Sequence, residues 1–485
     1  MKYDVIIGCE VHVQLLTNTK AFCSCENRFG GKPNSRICPV CSGLPGALPV
    51  TNQSIIEYAI RAGLAIHCRI PEITKFDRKN YIYPDLPKGY QISQFDMPIC
   101  EHGYLDVTTS QGTKRIRILR AHLEEDAGKN THSEDGSGLS FVDLNRCGTP
   151  LLEIVSEPDI RSPEEAVAYV QGLKEIMEFT GVSDCNMEEG SLRCDANINL
   201  WIYEDDRKYA TPIVELKNMN SFKSIRSALD YEVIRQKEEW EEKHITLDQK
   251  GKLTRGWHDK SGTTVLQRHK EEAAEYRYFP EPDLRPIKIP KELIESIGRN
   301  LPELPEQKRK RYRETLGLSV ENAEKLTSSP ELASYFEKAI DGYGGDVKKI
   351  ANWILTEVMA VVNDKKINIK DFAIEATKVQ ALIKLLDNDV ISGKIAKTVF
   401  TEMVEKGGDP DQIVKNSGLV QVTDQGEIEN VIDQVLKDNP KSVEDYKAGK
   451  AQAQGFLMGQ VMKLSKGKAN PKMASQLLKQ KLDAL

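Results

Sequence analysis

The sequence predicts an α+β chain of 485 residues. An N-terminal cradle domain on a mainly antiparallel sheet with flanking helices is expected first, then an all-α domain, then a small all-α basic tail domain. Three observations carry this prediction. The first 290 residues or so are rich in Gly and Pro and hold short β-prone runs at Val5 to Ile7, Ile116 to Leu119, Leu152 to Val155 and Ala196 to Leu200, which reads as strands separated by turns. Past Pro280, Glu281, Pro282, Asp283 and Pro286 the chain turns to charged, apolar-periodic segments with few aromatic residues. Within them Ile350, Trp353, Ile354, Val358, Val361 and Val362 recur at helical spacing.

Helical patterns also interrupt the strand region at Ser54 to Ala65, Pro163 to Phe179 and Ser221 to Glu242. Ser162 suits the N-cap of the second, with Pro163 at its first helical position. A break at Lys406, Gly407, Gly408, Asp409 and Pro410 ends a helix. The expected domains are therefore 1–292, containing a cysteine knuckle at 22–42, then 293–406 and 407–485. More than one core is needed in any case, because single cores stop growing near roughly 250 to 300 residues.

No run approaches the roughly 18 apolar residues of a membrane span, so a cytoplasmic protein with no membrane partner is expected. The net charge of −6 argues against indiscriminate coating of nucleic acid. It hides a basic tail, where Lys447, Lys450, Lys463, Lys466, Lys468, Lys472, Lys479 and Lys481 face the single acid Asp483. A solvated helix face and an RNA contact both fit that tail. Ten cysteines in a chain this long, with no signal peptide recognised, do not suggest a disulfide framework, as expected for a protein of the reducing cytosol.

Side chains alternate along a strand, so Glu10 and His12 in GCEVHVQL share one face, away from Cys9, Val11 and Val13. Arg193, Asp195 and Asn197 repeat the device, as do Glu215 and Lys217. In AHLEEDAGK the acids Glu124, Glu125 and Asp126 stand beside His122 and Lys129 and repel one another unless solvent, a lysine or a metal compensates them. Each cluster alone fits a solvated strand or an acidic loop. Together they suggest one pocket suited to a nucleoside triphosphate with Mg²⁺, without the GxxxxGK[ST] loop of a P-loop enzyme. Lys75, Arg78, Lys79 and Lys88 interleave with Tyr81, Tyr83 and Tyr90, a pattern that grips phosphate and stacks bases as well as decorating ordinary sheets.

The most specific local motif is CSC followed by CPVC, with Cys23, Cys25, Cys38 and Cys41 able to close on one tetrahedral zinc. Four thiolates leave no open coordination position, so the metal would be structural.

The segments EVHVQL, KFDRKNYIYPDLPKGYQISQFD, LEEDAGK, DLNRCGTPLLEIVSEPDI, GSLRCDANI, ELKNMNSF and YRYFPEPDL together resemble the B-subunit family of the aspartyl/glutamyl-tRNA amidotransferases. The tail NPKSVEDYKAGKAQAQGFLMGQVMKLSKGKANP resembles that family's C-terminal tRNA-binding module. The resemblance implies ATP-dependent phosphorylation of the side-chain carboxylate of Glu-tRNA(Gln), Asp-tRNA(Asn) or both, followed by amidation. Ammonia would come from a glutaminase (the A subunit), with a small third partner (the C subunit) completing a heterotrimer. Carried onto this chain, the resemblance assigns Lys79, Lys88 and Glu125 to catalysis. Glu10, His12, Glu125 and Glu215 fall to Mg²⁺, and Asp195, Asn197 and Lys217 to the nucleotide. Arg277 and Tyr278 line the same cradle or pack within it. Lys447, Lys450, Lys463, Lys466 and Lys468 would meet tRNA, and zinc on the four cysteines would stabilise the domain. Three other readings remain: an archaeal-type relative acting on Glu-tRNA(Gln) alone, a non-catalytic zinc-containing RNA-binding protein, and an aminoacyl-tRNA synthetase suggested by Lys463 to Lys466.

Overall fold

The structure is a computed structural model that describes all residues except 134–136, 270–275, 419–424, 451, 466–467 and 485. The chain folds as two compact units, Met1–Pro305 and Glu306–Leu485. Strands fill the first and helices the second, which is the expected α+β class.

In chain order the first unit contains β1 (Lys2–Gln14), α1 (Gln53–Ala65), β2 (Ile73–Thr74), β3 (Asp77–Asn80) and β4 (Tyr90–Ser93). There follow β5 (Cys100–Thr109), β6 (Gly112–Glu125), β7 (Lys129–His132), β8 (Ser140–Asp143), β9 (Pro150–Ser156) and α2 (Pro163–Phe179). It continues through β10 (Leu192–Glu204), β11 (Arg207–Ala210), β12 (Ile213–Met219), α3 (Phe222–Lys243) and the single turn α4 (Leu247–Lys250). The unit closes with β13 (Lys252–His258), β14 (Thr263–His269), β15 (Phe279–Pro280), β16 (Ile287–Lys288) and α5 (Lys291–Arg299).

The main sheet runs β14-β13-β12-β10-β1-β9-β6-β5, with β11 added to β10. Every pairing in it is antiparallel except β12 with β13. Alternation divides its two faces. Ile7, Cys9, Val11 and Val13 of β1 and Cys194, Ala196 and Ile198 of β10 are buried in one core with Tyr169, Val170, Leu173 and Met177 of α2 and Ile225, Ala228 and Leu229 of α3. Glu10, His12, Arg193, Asp195 and Asn197 occupy the intervening positions and are only partly buried. Local chemistry sets the helix starts. Ser162 Oγ accepts from the Glu165 amide at 3.1 Å and Pro163 takes the first helical turn, while Ser221 Oγ caps α3 through the Ser224 amide at 3.0 Å.

A smaller sheet, β15-β3-β4, rides on the first unit. Its clasp is ionic: Arg78 of β3 forms a two-pronged pair with Glu281, Nε to Oε2 at 2.6 Å and Nη2 to Oε1 at 2.9 Å. The Glu281 side chain is fully buried, and the guanidinium lies 4.1 Å from the Tyr90 ring centroid. The PEPD segment is thereby fixed against β3.

From the unit boundary, where Pro305 opens α6 (Pro305–Glu314), the chain continues with α7 (Val320–Leu326), α8 (Pro330–Ile340), α9 (Val347–Trp353), α10 (Met359–Lys365), α11 (Ala376–Asp387), α12 (Gly393–Lys406) and α13 (Pro410–Asn416). Then come α14 (Gln425–Asp438), α15 (Pro440–Lys447), α16 (Gln452–Leu464) and α17 (Pro471–Asp483). The second unit's described residues form two separate cores, one centred on Tyr312, Phe336, Ile350, Val379 and Phe400, the other on Ile428, Ile432, Leu457, Val461 and Leu478. The apolar pattern from Ile350 to Asn363 is helical, but a π-helical turn at Ile354–Val358 separates α9 from α10. The wider turn keeps Ile350, Ile354, Val358 and Val362 buried along one side. At the Gly-Pro break α12 stops at Lys406, and Pro410 opens α13. Among the described residues no helix is long and apolar enough to cross a membrane.

The Arg78 clasp predicts a stability effect. Glu281→Ala leaves a half-buried guanidinium without its main partner and should cost about 3 kcal/mol, read as a lowered urea midpoint with an unchanged slope. A midpoint equal to that of the parent protein would show that the clasp contributes nothing.

Candidate functional site

On the open face of the sheet a row of charged residues crosses four strands. His12 of β1 stands opposite Glu153 of β9 on one side and Arg193 of β10 on the other, and Glu153 stands opposite His122 of β6. The two imidazoles converge on one carboxylate oxygen: Glu153 Oε2 lies 3.3 Å from His12 Nε2 and 3.4 Å from His122 Nε2. Glu124 completes the group, 3.7 Å from His12 and 3.9 Å from His122. Burial works against charge on His12, yet Glu153 and then Glu124 raise its pKa. Burial likewise opposes the charge on Glu153, but His122 and His12 hold its carboxyl well below the usual range. One donor atom each from His12, Glu124 and Glu153 lie within 4.8 Å of one another. Such a set can hold a divalent cation.

At the β10 end of the row Arg193 Nη2 donates to Asp126 Oδ2 at 2.9 Å. The same oxygen accepts from Gln14 Nε2 at 3.0 Å and lies 3.6 Å from Arg146 Nε. Asp126 is buried, which alone would raise its pKa, but Arg193 and Arg146 bring it below the ordinary value.

A second polar group lies toward β12. Asn197 Nδ2 donates to Glu10 Oε1 at 2.8 Å. Lys217 Nζ meets Asp195 Oδ2 at 2.5 Å and Glu215 Oε1 at 3.4 Å, while Thr254 Oγ1 donates to Glu215 Oε2 at 3.0 Å. Burial disfavours the Lys217 charge, but Asp195 and Glu215 raise its pKa overall. The register between β10 and β12 shifts past Cys194, where Asn218 takes a left-handed φ of 65°, so the strict alternation expected beyond Lys217 is interrupted there.

Glu125 follows Glu124 on β6 and turns elsewhere. Its Oε1 pairs with Lys88 Nζ and accepts from the Ile92 amide at 2.9 Å. Lys79 has its Nζ 5.3 Å from the Tyr276 ring centroid. Burial disfavours its charge, but Glu124 and Glu153 together hold its pKa above the usual lysine range. Lys88 also abuts the cysteine knuckle. Gly43, at φ 71°, passes so close that an added Cβ would stand 3.0 Å from Lys88 Cα, leaving glycine as the residue that fits.

Cys23, Cys25, Cys38 and Cys41 bring their sulfurs within 4.8 Å of one another. Cys41 receives the Cys38 amide at 3.2 Å, and fully buried Lys20 places Nζ 3.7 Å from its sulfur. A hydrogen bond from Cys23, opposed by burial, pulls the Cys41 pKa down to about 4, while the Cys23 thiol is pushed up by the same bond.

The tail residues lie on a helical surface around the core of α14 to α17. Lys447 ends α15, Lys450 follows it and pairs with Asp445 at 2.7 Å, and Lys463 is in the last turn of α16. Lys468 is partly buried, Lys481 pairs with Asp433 at 2.6 Å, and Lys466 lies outside the described residues.

The sequence reading grouped Glu10, His12, Glu125 and Glu215. The structure brings Glu124 and Glu153 to His12, sets Glu10 and Glu215 beside Asn197 and Lys217, and joins Glu125 to Lys88. Glu153 and His122 were not assigned a role. The available signal was a lone acid inside the apolar strand Leu151 to Val155. Arg277 is exposed with a left-handed φ of 44°, and Tyr278 stacks on Phe95.

A sheet face carrying acids, imidazoles and lysines, followed in the chain by a helical unit, defines a catalytic module with an appended helical part. The comparisons agree: residues 5–295 match the GatB/GatE catalytic domain and residues 334–482 the GatB domain. Proteins named as the B subunit of an aspartyl/glutamyl-tRNA(Asn/Gln) amidotransferase are similar from end to end. The one from Carboxydothermus hydrogenoformans is 51% identical over 486 residues, 100% of both chains. That from Borrelia turicatae is 51% identical over 99% of both, and that from Caldanaerobacter subterraneus subsp. tengcongensis 50% identical over 99% of this chain and 100% of its own. The chain belongs to the B-subunit family of aspartyl/glutamyl-tRNA(Asn/Gln) amidotransferases. It is thus one subunit of a tRNA-dependent ligase, which sets aside the synthetase and the non-catalytic RNA-binding readings.

Asp126 supplies a pH prediction. Its depressed folded pKa means that it adds stability above the unfolded value near 3.8, and that this stability is lost as pH falls through the lower folded value. Asp126→Asn should therefore lower stability at pH 7 and flatten its decline below about pH 4. Urea midpoints measured from pH 7 to pH 3 check it; parallel pH profiles for the two proteins would contradict the ion pairing.

Proposed function

We propose that this chain performs the kinase and transamidase half of the family's reaction. The side-chain carboxylate of Glu-tRNA(Gln), Asp-tRNA(Asn) or both attacks the γ-phosphorus of ATP, ADP leaves, and an acyl phosphate forms. Ammonia then adds to the acyl carbon, phosphate leaves, a proton is lost, and the amide remains. The ammonia comes from glutamine hydrolysed by the amidase-family A subunit, which together with this chain and the small C subunit makes up a cytoplasmic heterotrimer. The observation that supports this reading best is the meeting of His12, Glu124 and Glu153, with Lys79 in electrostatic reach of both acids.

Two carboxylates and an imidazole fit a hard divalent ion such as Mg²⁺, whose other positions are filled by water and phosphate oxygens. Glu10, Glu125 and Glu215 are the further ligand candidates. Bound there, Mg²⁺ would neutralise the phosphate oxygens of ATP. Lys79, held charged by Glu124 and Glu153, stabilises negative charge on the transferring phosphoryl group. Lys88, paired with Glu125, orients the aminoacyl end. Asp195, Asn197 and Lys217 form the nucleotide side of the pocket, and the tail lysines Lys447, Lys450, Lys463, Lys466 and Lys468 meet the tRNA backbone, which makes binding salt-dependent.

The cysteines suit zinc. Tetrahedral Zn–S bonds of about 2.3 Å place the sulfurs roughly 3.8 Å apart, and Cys38 and Cys41 lie 3.9 Å apart. Zinc would tie residues 22–42 into the fold and take no part in the transfer.

The test is conversion of Glu-tRNA(Gln) to Gln-tRNA(Gln) by the assembled complex with ATP and ammonium as nitrogen donor. Glu125→Ala should cut the rate about a hundredfold. An absence of amide from the parent complex, or an unchanged rate in Glu125→Ala, would overturn the assignment. Cys38→Ser should lower zinc content and melting temperature while the surviving folded protein still turns over; complete inactivity of stably folded Cys38→Ser would place the metal in the mechanism instead.

A further inference from the structure

Five aromatic rings form an unbroken string on the β15-β3-β4 side of the pocket. Phe95 and Tyr278 stack with centroids 4.4 Å apart and planes 10° from parallel. Tyr278 meets Tyr276 edge-on at 6.1 Å, Tyr276 meets Tyr81 at 6.1 Å, and Tyr81 meets Tyr83 at 6.0 Å. Lys79 lies against Tyr276 in the middle of the string. A core cluster would hide its ends. Here Phe95 remains 51% exposed and Tyr83 50% exposed, although Tyr278 already covers part of Phe95.

The string is held in place from behind. Asn80 Nδ2 donates to the carbonyls of Tyr276 at 3.1 Å and Arg277 at 2.8 Å, and the Phe95 amide donates to Asp77 Oδ2 at 3.1 Å. Between the two tyrosines Arg277 is exposed and keeps a left-handed backbone. An open parallel ring pair beside an exposed guanidinium is the chemistry that stacks a nucleobase and meets its phosphate.

Position decides which base. Ser93 Oγ, two residues before Phe95, donates to Glu124 Oε2 at 3.3 Å, and Lys79 lies against Tyr276, so the string begins beside the carboxylate group. Asp195, Asn197 and Lys217 lie on the other side of that group, on β10 and β12. A reaction between ATP and an aminoacyl-tRNA brings two purines to one centre, each needing its own subsite. We infer that the Phe95–Tyr278 pair stacks the purine base of the 3′-terminal nucleotide of the aminoacyl-tRNA, with Arg277 at its phosphate. This rests on the proposed reaction and adds the subsite that orients the acyl group toward the carboxylate cluster.

The assembled complex with its partner subunits tests it in two ways. Phe95→Ala should raise the KM for Glu-tRNA(Gln) about tenfold while leaving the KM for ATP within twofold, and Phe95→Tyr should restore the parent value. Uncharged tRNA carrying 2-aminopurine as its 3′-terminal base should lose fluorescence on binding the parent and Phe95→Tyr proteins, but not Phe95→Ala. Equal quenching by all three proteins overturns the subsite, and so does a rise in the KM for ATP rather than for tRNA, which would give the ring pair to the ATP purine. The quenching readout needs no turnover, so a complex that stacks the base but makes no amide would sink the proposed reaction and leave the subsite standing.

Discussion

Glu153 shares one oxygen between two imidazoles in the middle of the sheet face opposite the apolar core, and this crowding governs the architecture around it. Opposite unit charges 3.3 Å apart attract by about 5 kcal/mol at an effective dielectric near 20. Taking ions out of water costs several kcal/mol each, so the attraction is largely consumed. A leucine-and-valine row would serve stability as well or better. The row is therefore a functional burden on the fold, and the rest of the first unit is arranged to keep it in register.

Register comes from the antiparallel pairing. His122, Glu153, His12 and Arg193 are direct cross-strand neighbours, so their spacing follows from the ladder. The opposite face is an apolar core under α1, α2 and α3, and a one-residue slip of any central strand would bury His12 or Glu153 in that core. The same hydrophobic alternation that specifies the fold thus specifies the site. Over it, the Arg78–Glu281 clasp fixes β15 and the Gly43–Lys88 approach fixes the knuckle, so the lysines are supplied by segments braced independently of the main sheet.

This division explains what the sequence made legible. Period-2 spacing placed Glu10 with His12, and Arg193 with Asp195 and Asn197, on one face, because alternation is a local property of a strand. The cysteine spacing likewise foretold four gathered sulfurs, and Ser162 with Pro163 marked the start of α2. What spacing could not supply was which strands lie adjacent. Glu153 reaches His12 only because β9 inserts between β1 and β6, a pairing across more than a hundred residues. The choice between Glu124 and Glu125 was similarly hidden: both are acids on one strand, and alternation sends one to the histidines and the other to Lys88. The π-helical turn at Ile354–Val358 was invisible because a single inserted residue barely disturbs an apolar period.

In the proposed reaction, the division of polar groups would let one face serve two ligands without confusing them. Toward β12 the charges are paired by short links among Asp195, Lys217 and Glu215, with Asn197 bound to Glu10. Toward β3 the surface is aromatic, with Lys79 held charged at a distance by Glu124 and Glu153 and in no ion pair as close as that of Lys217. A triphosphate, which is compact and highly charged, exchanges favourably with preformed charge pairs and a cation. A nucleotide end, with one phosphate per base, gains more from ring surface. The carboxylates between them belong to both sides. A cation held by His12, Glu124 and Glu153 would also lower the local negative charge and so change the balance that keeps Lys79 protonated. In the proposed reaction, binding of the phosphate-bearing ligand and readiness of the lysine would in this way be coupled through Glu124 and Glu153, which act on the Lys79 charge and belong to the candidate cation site.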